Sequence, residues 1–171
     1  KGEELAIRYN EEIARYLKKY IPGFENAYFD RVAPFMGIRE TRRLVGEYIL
    51  TEQDIFDCAK FDDSIAVSAY PVDLHHPVGG DCTLMWCPDC HDIPYRSLLP
   101  KKIDSLIVAG RCISATHLAL ASVRVMGPAM ATGEAAGKAA ALSVKNNVQL
   151  RDLDVAALQT ALREEGVYLR D

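Results

Sequence analysis

From Met126 to Val144 the sequence reads as a single helix that carries almost no side-chain bulk. Alanine and glycine dominate it, Glu134 and Lys138 are its charges, and Pro128 suits the first turn, where a missing N–H leaves no helical bond unmade. Ala129, Gly133, Gly137 and Ala141 fall on one face at four-residue spacing, with Thr132, Ala136 and Ala140 beside them. Each glycine costs about 1 kcal/mol of helix propensity relative to alanine, so this face is expected to accept a closely approaching neighbour. The two charges and the small residues make the stretch a buried helix of a globular protein rather than a membrane span.

What precedes the helix gives it a context. Ser105 to Ala109 is a short apolar run, read as a strand buried on both faces, and Gly110 and Arg111 end it. In an open α/β sheet ligands sit beyond the carboxyl ends of the strands, and a glycine there lets backbone approach a bulky group. The unpaired N–H groups that open the helix carry partial positive charge and suit a carbonyl or a developing anion.

The rest of the chain supplies ordinary elements. Leu5, Tyr9, Ile13, Tyr16, Leu17 and Tyr20 form a helical stripe ended by Pro22-Gly23, with Glu3 and Glu4 in its first turn and Lys18 and Lys19 in its last. The β-branched and aromatic residues from Val32 to Leu50 predict one or two strands, bent at Gly37 and Gly46. Thr51 to Asp54 resembles a capping box opening a short helix to about Ala59, and Ile65 to Tyr70 reads as a strand. Pro71 to Pro94 is so rich in Pro, Gly, Asp and Cys that a long irregular loop is expected. A last helix carries Val155, Leu158 and Leu162, is capped by Asp152 or Asp154, and stops at Gly166.

Composition excludes several classes. Apolar and charged fractions of 49% and 26% are those of a globular chain with one ordinary core. The net charge of −4 and the scattered basic pairs argue against nucleic acid and anionic membrane surfaces as partners. Five cysteines without disulfide-scaffold spacing, and no secretory signal at the start, lead to the expectation of a cytoplasmic protein with free thiols.

Two segments carry a family resemblance. PYRSLLPKKIDSLIVAGRCISATHLALASVRVMGPAMATGEAAGKAAAL, Pro94 to Leu142, resembles the C-terminal flavin-contacting signature of FAD-dependent oxidoreductases related to the glutathione reductase and fumarate reductase flavoproteins. GIRETRRLVGEYILTEQD, Gly37 to Asp54, resembles a substrate-side segment of the same family. The resemblance implies an α/β protein, α+β as a fragment: the C-terminal portion of a two-domain, Rossmann-like flavoprotein, with a substrate-side cap in residues 1–99 and flavin-domain residues in 100–171. It further implies FAD as cofactor and electron or hydride transfer to a small organic substrate.

By the same resemblance Gly110 and Arg111, followed by Cys112 and Ile113, would line the ribityl and flavin end. Val125, Met126, Gly127, Pro128, Ala129 and Met130 would pass along the pyrimidine ring, whose reduced form is anionic at that edge. His117 and Arg124 match positions where polar side chains approach flavin or substrate. Arg39, His75, His76 and Arg96 are the candidate substrate contacts. The family's G-x-G-x-x-G turn for the FAD pyrophosphate is not in this sequence, so the ADP-gripping half is expected on a segment or chain beyond it.

A rival reading rests on the cysteines. Cys87-Pro-Asp-Cys90-His91 spells the C-x-x-C-H motif of c-type haem attachment, and Cys82 completes four potential zinc ligands. Haem attachment demands export, and one C-x-x-C knuckle lacks its usual second. The alternative is a non-catalytic domain that uses the Cys82, Cys87, Cys90 and His91 loop for a metal or a partner. Arg39, Glu40, Arg42 and Arg43 offer either an anion site or a strand-end ion-pair cluster.

Overall fold

The computed structural model describes residues 2–76 and 80–170, and the chain divides between Ile38 and Arg39 into two compact units. The first unit contains helix α1, Gly2–Tyr20, with acidic residues in its first turn and Lys18 and Lys19 in its last, as its dipole favours. Gly23, at φ +95°, turns the chain after it.

The second unit is α+β. Helix α2, Glu52–Phe56, opens on a complete capping box: Asp54 N–H donates to Thr51 Oγ1 at 3.3 Å, and Thr51 N–H donates to Asp54 Oδ2 at 2.7 Å. Strands β1 (Ser64–Ser68) and β4 (His91–Pro94) pair antiparallel, as do β2 (Val72–His75) and β3 (Cys82–Met85). Three further helices follow: α3, His117–Val123; α4, Met126–Asn146; and α5, Val155–Glu164. Ile65, Ile93, Tyr95, Leu98, Leu120, Leu158 and Leu162 are central to the buried core, α4 packs on β1 and α5, and α3 packs on β2. Asp154 caps α5 through the Ala156 and Ala157 amides, and Asn147 in the left-handed region ends α4.

Three expectations need correction. The stretch from Pro71 to Pro94 is not an irregular loop; it supplies β2, β3 and β4. Pro77 lies outside the described residues. From Val32 to Leu50 no strand forms, because the backbone bonds go to different neighbours in turn: Leu44 to Cys112, Glu47 to Leu99, Tyr48 to Arg96 and Leu50 to Ser114. Gly46 is what permits this crowded path, since a Cβ there would lie 2.7 Å from Ser114 Cβ and 3.0 Å from the Leu99 carbonyl. Ser105 to Ala109 also forms no strand. The Val108 N–H bond to the Leu98 carbonyl, at 3.0 Å, is not continued into a ladder, and Leu106 is exposed.

The small-residue face of α4 differs from expectation as well. Pro128, Thr132, Ala135, Ala136 and Ala139 are its buried residues, while Gly133 and Gly137 are exposed and a Cβ on either would meet no atom within 4 Å. The glycines are therefore not explained by close packing among the described residues. No helix among these residues is long and apolar enough to cross a membrane.

Candidate functional site

Helix α4 begins without a side-chain cap, its N-cap being Val125. The first helical bond runs from Ala129 N–H to the Val125 carbonyl at 3.0 Å, and Pro128 has no N–H to offer. The amides of Met126 and Gly127 therefore have no carbonyl partner inside the helix, and they concentrate the positive end of a dipole built from a 21-residue helix. Both residues are exposed, and a Cβ at Gly127 would meet nothing within 4 Å.

Gly110 lies against this opening. It takes φ +71°, its N–H donates to Thr132 Oγ1 at 3.0 Å, and that hydroxyl donates to the Ala129 carbonyl at 3.0 Å. The turn from Gly110 to Cys112 leaves Arg111 exposed beside the helix start, while Ile113 points into the core and is 1% exposed. The glycine and the helix opening are thus joined through one buried threonine.

The β2–β3 hairpin brings Asp73 to the same place, with His75 and Cys82 against it but outside the lining of either cavity there. Asp73 and His75 share a face of β2, and Cys82 stands opposite His75 in the register. Cys82 Sγ donates to Asp73 Oδ1 at 2.9 Å, and His75 Nε2 lies 3.3 Å from Asp73 Oδ2. The thiol bond holds the Asp73 carboxyl below its ordinary value and pushes the Cys82 thiol up. Ligand atoms of these three residues all lie within 4.8 Å of one another, so they could approach a cation. Arg124 works against that: its Nη2 donates to the Asp73 carbonyl at 2.7 Å and stands 3.9 Å from the carboxylate.

Two cavities flank the start of α4 and share Tyr70 and Val125. One, of about 550 Å³, is largely apolar and bounded by Pro71, Leu84, Trp86, Gly127 and Pro128. The other, of about 380 Å³, is bounded by Arg39, Asp73, Arg111, Arg124 and Met126. Both are in the size range of small-molecule sites. The model of the FAD dependent oxidoreductase family matches residues 2–162.

The chain belongs to that family. Its chemistry is accordingly flavin-linked oxidation and reduction. No curated protein and no solved structure matches the chain. The helix opening of this FAD dependent oxidoreductase fits the flavin end of the cofactor in kind: free backbone donors, a glycine at positive φ beside them, and an apolar cavity with room for a flat ring.

In this family member the remaining predicted residues are placed differently. His117 begins α3 and pairs through Nδ1 with Glu40 Oε2 at 2.6 Å, while Glu40 also holds Arg43 at 3.1 Å. Neither His117 nor Glu40 borders the two cavities. Arg96 is engaged elsewhere, forked onto Asp63 at 2.9 and 3.1 Å and stacked 5.3 Å over the Tyr48 ring. His76 bonds Thr83 Oγ1 at 2.8 Å, on the opposite face of the strand end from His75. Tyr70, Asp73 and Trp86 are cavity residues that the sequence reading did not single out. The alternation of Val72 and Leu74 with Asp73 and His75 was the available signal for two of the hairpin's polar groups.

The cysteine-rich rival loses its ligand set. Among the described residues Cys82 clusters with Asp73 and His75, and Cys87, Cys90 and His91 do not join it. All five cysteines are free. His91 is fully buried on β4 with no partner for either ring nitrogen. Burial, aided by the Arg170 charge, pushes its pKa from 6.5 down to about 4. The folded protein therefore keeps the ring neutral where the unfolded chain takes up a proton. The stability present above pH 6.5 falls as pH drops toward about 4, by on the order of 3 kcal/mol in total. Glu52 and Asp73, with ordinary values of 4.5 and 3.8, are both lowered and add their losses at the acid end. Urea unfolding at about pH 7.5 and about pH 5 should show this decline, and His91→Leu should flatten it; an unchanged slope in the variant would count against the assignment.

Proposed function

We propose that the protein seats the flavin end of FAD against the opening of α4 and exchanges electrons or a hydride between it and an organic substrate held in the adjoining arginine-lined cavity. The observation that carries this is the uncapped, exposed pair of amides at Met126 and Gly127 next to Gly110. When bound, the isoalloxazine supplies the redox chemistry itself. The chain's own contribution is electrostatic and steric. The Met126 and Gly127 amides meet the pyrimidine edge where negative charge collects on reduction, and the glycine at 110 keeps side-chain bulk out of the approach. Arg111 and Arg124 flank the same space, with Val125, Ala129 and Met130 continuing the wall. Arg39 and Asp73 face the substrate side, with His75 held against Asp73 behind them.

In this reading residues 100–171 belong to the flavin-binding half of a two-domain, Rossmann-like protein and residues 1–99 to its substrate side. The family's ADP-gripping glycine turn is not among residues 1–171, and this reading assigns it to another segment or chain. The full-length gene product is then expected to purify with the visible absorbance of flavin at close to one FAD per chain. A colourless full-length protein that takes up no added FAD would leave the proposal without support.

A further inference from the structure

The cavity of about 380 Å³ between the β2–β3 hairpin and the start of α4 carries an unbalanced charge. Arg39, Arg111 and Arg124 line it against one carboxylate, Asp73. Asp73 is already committed, accepting from Cys82 and touching His75 and Arg124. Arg124 is nearly enclosed, its side chain 10% exposed, and the hydrogen bond it makes among the described residues is to the Asp73 carbonyl. The rest of its planar fork is left for a ligand. Arg39 and Arg111 have no carboxylate partner among the described residues, although the chain as a whole is acidic, with a net charge of −4. Elsewhere Arg43 pairs with Glu40, Arg96 with Asp63, Arg151 with Glu47 and Arg170 with Asp92, while Arg42 and Arg163, which have no carboxylate partner among the described residues, are not gathered around a cavity.

Gathering like charges around one concave space is unfavourable unless an anion enters it. Val125 and Met126 bring the positive end of α4 to the same wall, and with the Tyr70 ring they add apolar surface. We propose that this cavity binds a small organic carboxylate, the carboxyl group forked by Arg124 and neutralised by Arg39 and Arg111, with a flat or apolar body against Tyr70 and Met126. The proposal rests on the flavin reading only for its consequence, that this anion is the redox substrate. The same arginines would suit a phosphate of the cofactor, and the experiment separates the two sources.

Benzoate, with benzamide as its neutral isostere, is titrated into the FAD-loaded full-length protein, following both heat and the visible flavin spectrum. Benzoate is expected to bind and to perturb the spectrum, and benzamide to do neither. Arg39→Gln should weaken benzoate about tenfold while FAD stays bound, the loss typical of one charge-assisted contact. Equal binding of benzoate and benzamide, or benzoate binding unchanged in Arg39→Gln, would overturn the proposal. So would an Arg39→Gln variant that loses FAD but not benzoate, because the arginines would then serve the cofactor's phosphates. If the full-length protein holds no FAD, calorimetry on the colourless protein still decides: charge-dependent benzoate binding keeps the anion site and removes the flavin reading, and its absence removes both.

Discussion

Replacing Gly127 with phenylalanine is expected to weaken FAD binding by the full-length protein at least about tenfold, or about 1.4 kcal/mol, without lowering its thermal stability. The two halves of that expectation have separate causes. Gly127 sits in the first turn of α4, where an added Cβ meets no atom within 4 Å, so a side chain starts from open space and relieves the helix of a poor residue. The phenylalanine ring projects from the wall of the apolar cavity, across the amides that would face the isoalloxazine. Gly127→Ala, which adds a methyl group, should retain most of the affinity. Titration of both apoproteins with FAD by visible absorbance checks this, and an undiminished affinity in the phenylalanine variant would show that the flavin lies elsewhere.

The largest stability effect is expected far from that site. Arg170 Nε donates to Asp92 Oδ1 at 2.7 Å, with side chains only 10% and 3% exposed, and its fork also reaches the carbonyls of Cys90, Cys58 and Ala59. Asp92 accepts the Phe61 N–H at 3.1 Å as well, so the pair ties β4, the loop after α2 and the tail of the chain together. Arg170→Met leaves a buried carboxylate uncompensated, which typically costs about 3–5 kcal/mol. Adding Asp92→Asn should recover part of that loss, because the stranded charge goes with it. Urea denaturation of the two single variants and the double variant measures the coupling. Additive losses, or a loss under about 1 kcal/mol for Arg170→Met, would mean that the pair contributes little.

What could be read from the sequence follows the range of the interactions involved. The capping box at Thr51 and Asp54 and the span of α4 depend on bonds a few residues apart, and local chemistry placed them, while it narrowed the cap of α5 to Asp152 or Asp154, of which Asp154 is the one used. The adjacency of Gly110 to the start of α4 was legible from the order of the elements alone. Strand pairing is a long-range matter. The apolar run from Ser105 to Ala109 looked like a buried strand, yet no extended neighbour continues the single bond from Val108 to Leu98. The hairpin was missed for the opposite reason: its strands are four residues each and are set among prolines and glycines, whose local signal is a loop. With the hairpin went Asp73. His91 misled as well. Its motif with Cys87 and Cys90 suggested a ligand, but β4 turns the imidazole into the core, where it is held neutral.

The central claim concerns where the isoalloxazine lies, and a crystal structure of the FAD-loaded full-length protein addresses it most directly. The pyrimidine edge of the flavin is expected within hydrogen-bonding distance, about 3 Å, of the Met126 or Gly127 backbone N–H, with Gly110 alongside. A flavin seated away from α4, with those two amides covered by protein side chains, would contradict the account.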